Sequence, residues 1–151
     1  MRALLQRVKM ASVTVDEKIV GEIQQGILVF LGVQKGDDKN TADKLLKKIL
    51  GYRLFADEQQ KMNCSVCDIN GGVLVVSQFT LAADTQKGLR PGFSLAAEPK
   101  MAEQLYDYFV EQVKFQKKKY KLDVAAGVFG ADMQVALVND GPVTFLLEAV
   151  A

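Results

Sequence analysis

The chain has 151 residues, 49% of them apolar and 25% charged, with a formal net charge of +1. That length suits a single domain, 1–151, with a sizeable core, and the near-neutral balance supplies no global field that would draw nucleic acid. There is no histidine, which excludes Ser-His-Asp and Cys-His catalysis and any imidazole metal site within one chain.

Met1 to Leu5 leads directly into alternating structure, with no signal-peptide pattern. No apolar run approaches the roughly 18 residues of a membrane span. The expected setting is cytoplasmic, with no membrane partner.

Ala3 to Val15 reads as a long strand with Leu5, Val8, Met10 and Val13 as apolar landmarks. Asp16-Glu17-Lys18 is a tight connection, and Ile19 to Gln24 returns as a second strand, a β-hairpin. Arg7 lies inside the first strand, where a charge needs solvent or a partner. Gly26 to Val33 is nearly all apolar, the pattern of a strand covered on both faces.

Lys35 to Asp38 forms a loop, and Asn40 or Thr41 caps the next helix, with Asp43 in its first turn. Ala42, Leu45, Leu46, Ile49, Leu50 and Arg53 keep helical spacing, the apolar ones on one face. Leu54 to Ala56 is a short strand and Asp57 to Asn63 a polar loop. Cys64 and Cys67 are followed by turn chemistry, Asp68 to Gly72, and lack the further ligands that zinc requires. They read as ordinary cytosolic thiols.

Gly72 to Val76 is a second continuous apolar run, a buried strand, which turns abruptly polar at Ser77, Gln78 and Thr80. Two readings stand: a rigid strand end presenting chemistry, or side chains that satisfy nearby backbone groups. Ala82 to Phe93 is a loop of about a dozen residues, a length that is usually functional or mobile. Pro99 opens a helix whose apolar stripe is Ala102, Leu105, Tyr106, Phe109, Val110 and Val113. Its end carries the basic run Lys117-Lys118-Lys119-Tyr120-Lys121, either a solvated terminus favoured by the helix dipole or a phosphate contact.

Leu122 to Ala125 reads as a short strand, Gly127 to Gly130 as a glycine-flanked turn, and Met133 to Val138 and Val143 to Val150 as a closing hairpin. Asn139-Asp140-Gly141-Pro142 joins its two arms. Only about 5–6% of X-Pro bonds in folded proteins are cis, so the residues alone favour a trans proline. The order of elements argues for a mixed sheet, or two sheets, with helices on one side.

Ser77-Gln78-Phe79-Thr80-Leu81 and Asn139-Asp140-Gly141-Pro142-Val143-Thr144 resemble the two signature motifs of the D-aminoacyl-tRNA deacylase family. The likeness extends to Arg7-Val8, Ala11-Ser12-Val13, Arg90-Pro91 and Gly127 to Met133, so it spans the chain. The fold then expected is α/β: mixed, β-rich sheets, barrel-like in α/β/β layers, with two main helices packed on one side. The resemblance implies a homodimeric hydrolase that frees a D-amino acid, or glycine, from the terminal ribose of aminoacyl-tRNA. It implies a cis Gly141-Pro142 reaching the partner's pocket to exclude L-amino acids, with Arg7 holding that loop. Ser77, Gln78, Phe79 and Thr80 would be the catalytic set, and Met133 and Asn139 would join Gly141, Pro142 and Arg7 in binding substrate. No cofactor or metal is implied. Gly92 stands where relatives tend to have serine, and Cys64 replaces a usual aliphatic residue, both outside the two motifs.

Ester hydrolysis needs a nucleophile and a site for the oxyanion. If Thr80 attacked, it would need a base, and no lysine or carboxylate lies within three residues of it. The preferred alternative is attack by water, helped by the 2′-hydroxyl of the tRNA's own ribose, with backbone N–H donors near Phe79 and Thr80. Two other classes compete: a non-enzymatic RNA-binding module using Lys117 to Lys121, and a thiol redox protein using Cys64 and Cys67.

Overall fold

The computed structural model describes residues 1–151. Strand β1 (Arg2–Val15), β2 (Lys18–Ile23) and β3 (Gly26–Gly32) form one long antiparallel hairpin around Asp16 and Glu17, both at positive φ. After helix α1 (Lys39–Gly51) and the small ribbon β4 (Phe55–Ala56) and β5 (Met62–Cys64), strand β6 (Gly72–Ser77) returns parallel to β3. Helix α2 (Pro99–Phe115) leads to β7 (Asp123–Ala126), parallel to β6, and β8 (Gln134–Glu148) closes the chain antiparallel to β1.

The main sheet runs β2-β1-β3-β6-β7, with β8 also on β1. It curls until its ends meet: a Cβ added at Gly21 in β2 would lie 3.0 Å from the Ala126 carbonyl oxygen in β7. Parallel neighbours require crossovers, and both crossovers carry a helix. The helix stripes, including Leu45, Ile49, Phe109 and Val113, pack with Leu5, Val29 and Val75 in the larger core. The smaller core fills the inside of the curl with Val8, Val13, Ile23, Leu28, Leu74 and Val76. The mixed, barrel-like α/β architecture is therefore the one expected.

Several local expectations change. Met10 is 47% exposed, because the β1–β8 register slips between Val8 and Met10 and shifts the side-chain alternation by one residue. The cap of α1 is Asp38, whose carboxylate accepts from the Thr41 N–H at 2.8 Å in a capping box; Asn40 and Thr41 lie inside the helix. Those hydrogen bonds hold the Asp38 carboxyl below its ordinary range. Arg53 falls beyond the helix end. Met62–Cys64, at the edge of the stretch read as a polar loop, pairs with β4. Strand β6 stops at Ser77, and Phe79–Ala82 coils into a 3₁₀ turn.

The largest departure lies at the C-terminal end. The expected hairpin is one continuous strand, β8, antiparallel to β1 from Gln134 to Glu148. Gln6 pairs with Thr144 and Val8 with Asn139, so the single residue Arg7 faces Asp140, Gly141, Pro142 and Val143. A local Gly-Pro signal reads as a turn, but here pairing to β1 on both sides converts it into a wide bulge. The Gly141-Pro142 bond is cis, as the family resemblance implied and the base rate did not.

Candidate functional site

A cavity of about 490 Å³ opens where β6 ends, walled by three segments. Val76, Ser77, Gln78 and Phe79 come from the strand end, Ala96, Ala97, Pro99 and Ala102 from the approach to α2 and its first turn, and Phe129 to Met133 with Val135 from the β7–β8 connection and the start of β8. The Gln78 N–H donates to the Leu31 carbonyl at 2.8 Å, extending the parallel ladder one residue past the strand. The chain then coils, and no side chain caps the turn. The first N–H groups of such a turn have no partner within it, so Phe79 and Thr80 carry unclaimed donors beside the cavity.

Four of the expected site residues, Ser77, Gln78, Phe79 and Met133, line this cavity. Thr80 does not; its hydroxyl oxygen accepts from the Gln78 side-chain amide at the exposed rim. The wall is mainly apolar, with Asp132 its only carboxylate. Alanines 96, 97, 102 and 131 have no chemical signature, whereas Phe129 and Asp132 sit inside the Gly127 to Met133 stretch already singled out.

Beneath the cavity, the buried Tyr106 hydroxyl shares its proton between the carbonyls of Gly127 (2.7 Å) and Val75 (3.1 Å). Burial raises the phenol's pKa, so it stays a donor across the working range of pH. Its ring also packs against Phe129, centroids 5.9 Å apart. Tyr106→Phe leaves both carbonyls without this donor and is expected to cost about 1 kcal/mol. For a chain of this size that is about 2–4 °C in Tm, readable in a thermal melt.

The remaining expected residues form a second cluster at the β8 bulge. Arg7 donates from Nε to the Asp140 carbonyl and from Nη1 to the Leu54 carbonyl, both at 2.8 Å. Asn139 closes the bulge: its side-chain oxygen accepts from the Val143 N–H at 2.7 Å and its amide donates to the Thr144 hydroxyl at 3.0 Å. Gly141 and Pro142 are exposed. Arg7 pairs with Ile27 of β3, while Ser77 pairs with Leu31. Along β8, Gly141 lies about 20 Å past Val135, the residue of that strand that lines the cavity.

The cysteines are free, and burial pushes the Cys67 thiol up, away from thiolate chemistry. Lys117, Lys118, Lys119 and Lys121 are exposed at the far end of α2, about 25 Å from its cavity-lining start. No helix is long and apolar enough to cross a membrane.

Comparison with known proteins extends the picture over the whole chain. The family model described as D-Tyr-tRNA(Tyr) deacylase matches residues 4–148. A D-aminoacyl-tRNA deacylase of Cellvibrio japonicus (strain Ueda107) is 62% identical over 148 residues, 98% of this chain and 99% of that protein. One of Pseudoalteromonas translucida (strain TAC 125) is 62% identical, covering 97% and 99%. Among solved structures, the c-Myc DNA Unwinding Element Binding Protein superposes with TM-score 0.92 at 42% identity, covering both chains completely. A probable eukaryotic D-amino acid tRNA deacylase, 18% identical over 97% of this chain and 98% of that one, shares the fold with TM-score 0.82. With agreement of this length and identity, the chain belongs to the D-Tyr-tRNA(Tyr) deacylase family.

Proposed function

We propose that this protein hydrolyses the ester joining a D-amino acid to the terminal ribose of tRNA, and the glycyl ester as well. The observation that carries the reading is the uncapped turn at Phe79 and Thr80, set against an apolar cavity that Ser77, Gln78 and Phe79 line. Backbone N–H groups fixed beside a largely apolar wall suit the developing oxyanion of a tetrahedral intermediate. The names of the relatives supply the substrate class, and a tRNA substrate supports a cytoplasmic setting.

The geometry favours a water nucleophile assisted by the tRNA 2′-hydroxyl. The only side-chain partner of the Thr80 hydroxyl is an amide that donates to it and cannot take its proton. Positioning and oxyanion stabilisation are together worth several powers of ten in rate. Chirality is then imposed by exclusion. Since the Gly141-Pro142 bulge lies far from its own chain's cavity, a second copy delivers it, making the working unit a homodimer. Arg7 and Asn139, which hold the bulge, act as positioning residues.

The test is hydrolysis of D-tyrosyl-, L-tyrosyl- and glycyl-tRNA by the purified protein. Cleavage of the D and glycyl esters with the L ester spared is the expected pattern. Thr80→Ala is expected to keep kcat within about ten-fold of the parent, since one hydrogen bond is worth about 1 kcal/mol. A collapse to background would restore a threonine nucleophile. Tight tRNA binding without cleavage of any ester would replace the enzyme with an RNA-binding module.

A further inference from the structure

Outside the cavity, the loop 84–93 carries features that the chemistry above does not use. Phe79 and Phe93 sit with ring centroids 5.2 Å apart, tilted by 45°, and are 60% and 40% exposed. Phe79 lines the cavity and Phe93 does not, so the pair carries an aromatic wall from the cavity out onto the surface. The loop is fixed at its base: Asp84 and Gly92 exchange backbone hydrogen bonds at 2.7 and 3.0 Å, and the Asp84 carboxylate accepts from the Gln86 N–H at 3.0 Å. Beyond that base Lys87, Leu89 and Arg90 are exposed, and neither cation has a carboxylate partner.

Exposed aromatic faces flanked by unpaired cations are how proteins hold single-stranded nucleic acid, the rings stacking on bases and the cations meeting phosphates. We propose that Phe93, packed against Phe79, seats the base of the nucleotide that precedes the aminoacylated terminal one, with Lys87 and Arg90 contacting the adjoining phosphates. This rests on the deacylase reading, because it takes the cavity as the seat of the terminal residue. Phe93 is thus a positioning residue: it sets where the strand enters and touches no reacting atom.

A pair of substrates separates this role from simple support of the cavity wall. D-Tyrosyl-tRNA offers the preceding nucleotide, and D-tyrosyl-adenosine does not. Phe93→Ala is expected to lower kcat/KM on D-tyrosyl-tRNA about ten-fold, the loss that follows one lost stacked base. The same variant should stay within two-fold of the parent on D-tyrosyl-adenosine, and Phe93→Trp should restore the tRNA rate. Equal losses on both substrates, or no loss on tRNA, would overturn the proposal.

A binding measurement stands apart from catalysis. A fluorescent single-stranded oligonucleotide ending in CCA should bind Phe93→Ala about five- to ten-fold more weakly, and Arg90→Gln should flatten the salt dependence by about 0.7 in log–log slope. If the parent cleaved neither ester yet showed this pattern, the deacylase reading alone would fall. Binding unchanged in both variants would dispose of the nucleotide seat.

Discussion

Gly26→Ala is expected to abolish the cooperative thermal transition or to lower Tm by at least about 10 °C. Gly26 opens β3 opposite Gly72, which opens β6. A Cβ at Gly26 would lie 2.0 Å from the Gly72 carbonyl oxygen and 2.6 Å from both the carbonyl carbon and the nitrogen of that residue. These are backbone atoms, so no rotamer change can relieve the contact; the two parallel strands must part. Gly72 cannot retreat, because its own Cα is closed in by the Ile23 side chain, 2.7 Å from the position of a Cβ. Separating central strands that bear both cores costs more than about 4 kcal/mol, a large share of the ~5–15 kcal/mol that holds a domain together. Gly51→Ala is the control, since a Cβ there meets nothing within 4 Å. An unchanged Tm for Gly26→Ala would mean that β3 and β6 separate freely at that end.

The second large effect falls on activity. Gly141→Ala is expected to lower kcat/KM on D-tyrosyl-tRNA by about 100-fold or more while the protein stays folded. Gly141 has φ of +148°, a conformation that side chains of L-residues rarely adopt, and an added Cβ would stand 2.7 Å from Val143 Cγ2 and 2.9 Å from its nitrogen. It would also crowd Arg7 Nη2 at 3.3 Å, and Arg7 is the residue that ties Asp140 to Leu54. Strain at one such position costs on the order of 1–3 kcal/mol, which the remaining β1–β8 pairing can absorb. The bulge, however, must be rebuilt, and under the proposed function it is the part that enters the partner's cavity. Displacement by about 1 Å at such a point is enough for a 100-fold loss. Parent-like rates on D-tyrosyl-tRNA from Gly141→Ala would remove the bulge from the site.

What could be read without coordinates follows the range of the forces involved. The apolar runs of β3 and β6 and the stripes of α1 and α2 are short-period patterns set by burial, and each appears where expected. Met10 was misleading because the register slip that exposes it is a property of two strands, β1 and β8, 128 residues apart at that pair. Asp38 carries no local signal that sets it apart from Asn40 and Thr41, which are equally able to cap, and only the path of the loop selects among them. The closing strand looked like a hairpin because glycine followed by proline breaks strands in any local window. Its continuity comes from β1 on both sides of Arg7. At the site, polar residues at the end of an apolar strand drew attention to Ser77 and Gln78. The alanines that complete the cavity carry no such contrast with their surroundings.

The pairing of β1 with β8 also governs how this chain matures during synthesis. Arg2 is hydrogen-bonded in register with Glu148, and the whole of β1 lies between β8 and the β2–β3 arm. Strand β1 thus acquires its second neighbour only from β8, which is synthesised long after it. At about 5–20 residues per second of translation, one edge of a 14-residue strand stays open for several seconds on the ribosome. Such long-range pairing slows folding as well, because the loop must close before its contacts form. Gln6, Arg7 and Lys9 interrupt the apolar pattern of β1, and polar or charged residues of this kind blunt an unpaired strand edge. In the finished fold Arg7 clasps the bulge of the strand that closes this edge.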